Sequence, residues 1–195
     1  MSVYDLIRSR RTIRRFKAEP VGKEILDRIV DAGRLAPSGA NRQPLEFIAV
    51  DQDGPRAEVL ACLAWAGYVT PRRTPGPGQA PAAYVVTLIN TGFGVSGEAD
   101  AAAAVENMLL TALDEGVGSC WIGSVQRKKL SALLGIPTDY KIDSVLALGY
   151  PGEKPVMEEI TEPGRSDAHK YWLDDADVLH VPKRRLADVL HRNRF

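Results

Sequence analysis

Residues 83–115 constrain the fold most. Ala83–Asn90 (AYVVTLIN) is an apolar run rich in β-branched side chains, the composition of a buried strand. A glycine-bearing turn leads from it into an alanine-rich run, Glu98 to Glu115, whose first-turn acids match the positive end of a helix dipole. A strong strand feeding a long helix calls for a core in which sheet and helix pack on one another. The turn, Gly92-Phe93-Gly94-Val95-Ser96-Gly97, matches G-x-G-x-x-G in the strand-to-helix setting of a dinucleotide-binding fingerprint. The next expected strand ends at Ile122-Gly123-Ser124 without an Asp or Glu to take a ribose hydroxyl, although Arg127 and Lys128 suit a 2′-phosphate. The serial alternation of strand and helix that such a unit needs is missing around the motif. An NADP-binding dehydrogenase of the Rossmann type therefore stands as an alternative only.

The remaining elements are read around this centre. Ser2 and Asp5 have capping-box spacing and predict a helix start, with Val3, Leu6 and Ile7 on one face. Ile25, Leu26, Ile29, Val30 and Gly33 recur at helical spacing between Gly22 and Leu35, and Pro37 and Gly39 end that helix. Leu45–Val50 has strand length, and Pro55 fits the first turn of a third helix carrying Val59, Leu60 and Leu63 inward. Cys120–Ile122 and Ile142–Leu148 read as strands, with a helix at Gln126–Leu134 closed by Gly135. Residues 67–81 hold four prolines and three glycines and predict a lid or binding loop, with Arg72 and Arg73 as selectivity residues. Pro151 to Val181 is acidic and weakly periodic, an extended arm, followed by Lys183-Arg184-Arg185 and an amphipathic piece at Leu186–Leu190. No repeat or linker divides the 195 residues, so one domain is expected.

Bulk properties narrow the partners. Twenty-five basic residues balance 25 acidic ones, which gives no electrostatic argument for nucleic acid or an anionic membrane surface. No apolar run reaches the length of about 20 residues that spans a bilayer, and no secretory leader is visible. Cys62 and Cys120 stand far apart in no metal-ligand spacing and read as core thiols. A cytoplasmic protein without a structural metal is the expectation.

Five clusters can carry chemistry. The run Arg8 to Arg15 offers planar guanidinium forks and the Thr12 hydroxyl, a set that suits phosphate; a charge run alone is more often a solvated face. Ala36 to Pro44 supplies Ser, Asn and Gln donors around Gly39, or is simply a helix-to-strand turn. Gly116 to Gly123 brackets a short apolar strand with glycines, which offers backbone to a flat ligand or marks tight packing. Val181-Pro182-Lys183-Arg184-Arg185 is a second phosphate-sized basic cluster or a solubilising tail. The Gly92–Gly97 turn is the fifth. His169, His180 and His191 have no nucleophile beside them in sequence, and no HExxH, GxSxG or GxxxxGK[ST] motif occurs. Anion-binding clusters without an evident acid, base or nucleophile are what a cofactor-driven reaction needs. A non-catalytic anion- or nucleotide-binding module would use the same clusters.

Taken together, Arg10-Arg11-Thr12-Ile13-Arg14-Arg15-Phe16, Leu35 to Pro44, Asn107-Met108-Leu109-Leu110, Gly118 to Gly123, Val181 to Arg185 and His191 to Phe195 resemble the FMN-dependent nitroreductase family. The resemblance implies an α+β fold, a central mixed or antiparallel sheet flanked by helices, in an intertwined homodimer joined through helix 98–115. Residues 151–195 would be an arm packed on the partner subunit. It implies FMN as cofactor and NAD(P)H as reductant, with flavin N5 rather than a side chain carrying the chemistry. Arg10, Arg11 and Thr12, with Lys183 and Arg185, would hold the FMN phosphate. Arg14 would lie at the N1–C2=O edge, and the backbone of Ile122 and Gly123 at the N5–C4=O edge. Pro37, Ser38, Gly39 and Asn41 would reach in from the other subunit. The expected activity is ping-pong reduction of an electron-poor acceptor, a nitroaromatic or quinone. Leu45 departs from the pattern, standing where an aromatic residue commonly follows the Gln-Pro pair. The 67–81 loop has no clear counterpart.

Overall fold

A computed structural model describes residues 1–70, 73–162 and 164–195. Its centre is a four-stranded sheet of β1 (Leu45–Val50), β2 (Ala83–Asn90), β3 (Gly118–Ile122) and β4 (Tyr140–Gly149) in the order β1-β2-β4-β3. All three pairings are antiparallel; Val86 of β2 lies opposite Ile48 on one side and Val145 on the other. β2 is buried from Ala83 to Ile89 and β4 from Ser144 to Gly149, because both faces of the sheet are covered there. Tyr84, Val86 and Leu88 of β2 and Val145 and Ala147 of β4 face a layer containing Val59 of α3 (Asp53–Leu60) and Leu130 of α5 (Arg127–Leu134). Val85, Leu146 and Leu148 point the other way, onto Leu26 and Ile29 of α2 (Lys23–Arg34) and Val105, Met108 and Leu109 of α4 (Glu98–Asp114).

Local chemistry sets the element ends. The capping box closes α1 (Val3–Ser9): the Asp5 amide donates to Ser2 Oγ at 3.2 Å, and the Ser2 amide donates to Asp5 Oδ2 at 3.0 Å. Only Leu6 of its expected apolar face is buried; Val3 and Ile7 are exposed. α4 buries Ala101, Ala104, Val105, Met108, Leu109 and Ala112, one helical stripe, against the sheet and α2. Asn107 Nδ2 ties the two helices by donating to Ala32 O at 3.1 Å.

Two readings from sequence change. β2 runs antiparallel to both neighbours, so no parallel crossover surrounds Gly92–Gly97; the segment is a turn in which Gly94 and Gly97 adopt positive φ. A dinucleotide unit needs parallel strands about its glycine loop, and the Rossmann reading is withdrawn. Residues 151–183 are more than an extended arm. They form a second sheet of β5 (Val156–Glu159), β6 (Trp172–Leu173) and β7 (Leu179–Lys183), with β7 central, parallel to β5 and antiparallel to β6. Leu179 anchors it on Ala66 and Val69 of the same chain. No helix among the described residues is long and apolar enough to cross a membrane.

Candidate active site

The basic run is laid along β3. Ile13 N–H donates to Ser119 O at 2.9 Å and Thr12 bridges Ser119 in parallel, so residues 10–14 extend the sheet beyond its edge strand. Gly118 makes this approach feasible: a Cβ there would stand 2.9 Å from Ile13 Cγ1. Two cavities flank the run. One, of ≈ 220 Å³, is lined by Arg10, Arg11, Gly118, Ser119, Glu153 and Lys154. The other, of ≈ 300 Å³, is lined by Arg14, Trp65, Cys120, Trp121, Ile122 and Gly123. Trp121 is 42% exposed there, an uncovered flat apolar surface beside a cation. Burial lowers the pKa of the Arg11 guanidinium from its usual value; its nitrogens donate to the carbonyls of Arg10 and Arg8. Burial likewise pushes the Cys120 thiol up to about 11, which leaves it protonated and unreactive at neutral pH.

The loop after α2 is built differently. Ser38 Oγ donates to Asp100 Oδ2 at 2.6 Å, Gly39 N–H donates to Asp100 Oδ1 at 3.2 Å, and Gln43 N–H donates to Ser38 Oγ at 2.9 Å. Ala40, Asn41 and Gln43 all have positive φ, between 50° and 53°. Side chains pay about 1–2 kcal/mol each for that conformation, and such clustered strain marks functional loops. Pro37 and Ser38 line a ≈ 540 Å³ groove with Leu45 and Phe47 of β1. Because β1 and β3 are opposite edges of the sheet, Pro37, Ser38, Gly39 and Asn41 lie on the far side from Arg10, Arg11, Thr12, Arg14, Ile122 and Gly123. Three strand spacings of roughly 4.8 Å separate the two edges.

The C-terminal cations form a third group. Lys183 ends β7 opposite Glu159, and Arg185 donates from Nε and Nη2 to the Asp188 carboxylate at 3.0 Å. Among the described residues no hydrogen bond or ion pair joins Lys183 or Arg185 to residues 10–14. His180 sits between Glu158 and Asp174, at 3.2 and 3.3 Å, and stacks on Trp172, while His169 and His191 pack on Tyr68 and Phe195.

Arg73 differs from its expected role. It is 3% exposed and pairs with Glu153 and Asp177. A guanidinium so engaged cannot present itself to an acceptor, so selectivity is not assigned to it; Arg72 lies outside the described residues. Reading the sequence also missed Asp100, Glu153 and Lys154. Asp100 was legible only as a first-turn acid of α4, and Glu153 and Lys154 only by following a strand end at Tyr150-Pro151.

The residues along β3 fit FMN in kind: Arg10, Arg11 and Lys154 around one cavity for a phosphate, Arg14 and uncovered aromatic surface around the next for a ring. Glu153, which also faces the first cavity, is neutralised by Arg73.

Comparison with known proteins bears on the family and the fold. The profile described as "Nitroreductase family" matches residues 7–150. A protein of Archaeoglobus fulgidus named "Putative NADH dehydrogenase/NAD(P)H nitroreductase" is 34% identical over 76% of this chain and 85% of its own. A 5,6-dimethylbenzimidazole synthase of Rhodospirillum rubrum is 27% identical over 82% of this chain and 86% of its own. The solved structure of an FMN-dependent nitroreductase from Clostridium difficile R20291 superposes with a TM-score of 0.71 at 25% identity, covering 97% of this chain and 98% of that one. With the profile spanning most of the chain and the fold shared end to end, this protein belongs to the nitroreductase family.

Proposed function

We propose that the chain is a cytoplasmic, homodimeric FMN-dependent NAD(P)H oxidoreductase acting on an electron-poor acceptor of the nitroaromatic or quinone type. The observation that carries this reading is the alignment of Arg10, Arg11 and Arg14 along the β3 edge, beside two cavities with half-buried cationic lining and the exposed Trp121 ring. When bound, FMN supplies hydride acceptance at N5 from NAD(P)H and onward delivery to the acceptor on the same face, which makes the kinetics ping-pong. Arg10 and Arg11, with Thr12, hold the phosphate, and each charge-assisted hydrogen bond contributes about 1.5–3 kcal/mol. Lys154 adds a third cation from the same chain, and Lys183 and Arg185 are assigned to the same anion. A fixed Arg14 guanidinium favours negative charge at the N1 edge. The backbone of Ile122 and Gly123, which lines the same cavity as Arg14, would face the N5 edge.

A second subunit completes the site. Pro37, Ser38, Gly39 and Asn41 stand at the opposite edge of their own sheet, so they serve the partner's flavin. Surfaces suited to the partner are present: Val3, Tyr4 and Ile7 of α1, and Leu186, Val189, Leu190 and Phe195 at the C-terminus, are exposed apolar side chains. The half-exposed face of α4 is assigned to the same interface as the first set, and the C-terminal arm, residues 151–195, is assigned to packing on the partner. Dilution to monomers is therefore expected to release the cofactor.

The test is the visible absorbance of the purified protein after incubation with FMN, with the released cofactor identified, followed by NADH and NADPH oxidation with a nitroaromatic and a quinone. Parallel double-reciprocal plots are expected. A protein that stays colourless rejects the proposal; one that binds FMN but oxidises neither reductant is a binding module.

A further inference from the structure

Glu153, just past β4, is an acidic side chain set among the basic residues of the β3 edge, and only 9% of it is exposed. Its Oε1 accepts from the amides of Arg14 at 2.5 Å and Arg15 at 3.2 Å. Its Oε2 pairs with Arg73 Nη1 at 2.5 Å, and the Arg73 side chain is 2% exposed. Arg73 Nη2 donates to the Asp177 carbonyl at 2.6 Å and its carboxylate at 2.8 Å. One carboxylate thus joins the 67–81 loop, the basic run and, through Arg73, the turn between β6 and β7. A buried ion pair contributes little net stability, because desolvation offsets the attraction, whereas it does restrict geometry.

The geometry it restricts is that of Arg14. Two consecutive amides on one carboxylate oxygen hold the backbone of residue 14. The Arg14 guanidinium lies over the Tyr171 ring, 5.0 Å from its centroid, and lines the cavity shared with Ile122 and Gly123. Among the described residues no carboxylate pairs with that guanidinium. The side chain is steered without engaging its donors on protein acids.

We propose that Glu153 is a positioning residue for Arg14, with Arg73 as its counter-ion and Tyr171 as the platform, so that the donors of Arg14 are held ready for the anionic edge of the flavin. The inference rests on the assignment of Arg14 to the flavin ring edge. Its consequence is that Glu153, which carries no charge favourable to an anion, strengthens FMN binding and raises the flavin's midpoint potential by acting through Arg14.

The experiment measures FMN affinity by fluorescence titration of the apoprotein and the midpoint potential of the FMN-saturated protein. The chains compared are wild type, Glu153→Ala, Glu153→Gln, Arg14→Met and the Glu153→Ala/Arg14→Met double variant. Glu153→Ala is expected to weaken FMN at least tenfold and lower the potential. Glu153→Gln, which keeps an amide acceptor and the volume, should do so to a smaller extent and carries the test if the alanine variant does not fold. The double variant should be no worse than Arg14→Met alone, since coupled residues are non-additive. Additive losses, or a lowered melting temperature with an unchanged potential, overturn the inference. Neutral Arg14→Met in a wild type that binds FMN overturns it while the proposed function stands. A wild type that takes up no FMN overturns both.

Discussion

Removing the Asp100 carboxylate should loosen the Pro37–Gln43 loop far more than the protein. Asp100 accepts from Ser38 Oγ and from the Gly39 amide, and Ser38 Oγ in turn accepts from the Gln43 amide. Hydrogen bonds to a charged group contribute about 1.5–3 kcal/mol each, and the partial exposure of this loop places both near the lower figure, about 3 kcal/mol together. Against that hold stands the left-handed conformation of Ala40, Asn41 and Gln43, at about 1–2 kcal/mol per residue, which is released once the clamp is gone. In Asp100→Ala the free energy of loop opening should fall by about 3 kcal/mol, and amide exchange at Gly39 and Gln43 should accelerate about a hundredfold. The global loss is confined to the helix-dipole contribution of a first-turn acid, about 0.3–1 kcal/mol, or a melting shift of about 1–4 °C. The assay is hydrogen exchange resolved to residues 36–44, alongside a thermal melt. Unchanged exchange in that segment, or a melting drop far beyond this range without selective exchange, would refute the reasoning.

Other outcomes follow from single sites. Gly97→Ala should cost about 2–4 kcal/mol by thermal melt, because Gly97 has φ +73° and a Cβ would fall 2.7 Å from Ile89 Cγ2, adding overpacking to left-handed strain. Arg73→Met should destabilise the fold by about 3–5 kcal/mol in denaturant titration, since it strands the buried Glu153 carboxylate. For Cys120, the folded pKa of about 11 lies above the unfolded value of 9.0, so its contribution is intact below pH 9 and is lost as pH rises toward 11. Stability measured across that window should decline less steeply in Cys120→Ala; equal slopes would remove burial of the thiol as the cause.

Much of the architecture is local, and the sequence carries local information well. The limits of β1 and β2 follow from their apolar runs, α1 from the Ser2–Asp5 box, and α4 from an alanine-rich run with acids in its first turn. In each case the deciding residues are a few positions apart, so propensity and capping act before any tertiary contact forms. The second sheet was not legible because β5 and β6 are too short to show a period, and β7 contains Pro182. The G-x-G-x-x-G turn left a Rossmann alternative open because its meaning depends on strand direction, which no window of six residues contains.

The basic run, the Pro-Ser-Gly loop and the glycine-flanked strand were each recognisable as residue types suited to a phosphorylated flat ligand. Only the tertiary structure decided that Arg10–Arg14 lies along β3 while Ser38 is held at the far edge of the same sheet. Only there does Arg73 become a buried counter-ion and Glu153 a clamp on Arg14, across 139 positions of chain. Ion pairs and edge contacts of this reach form where packing excludes water and brings distant segments together. Their geometry is a property of the folded core, and no local pattern of residues encodes it.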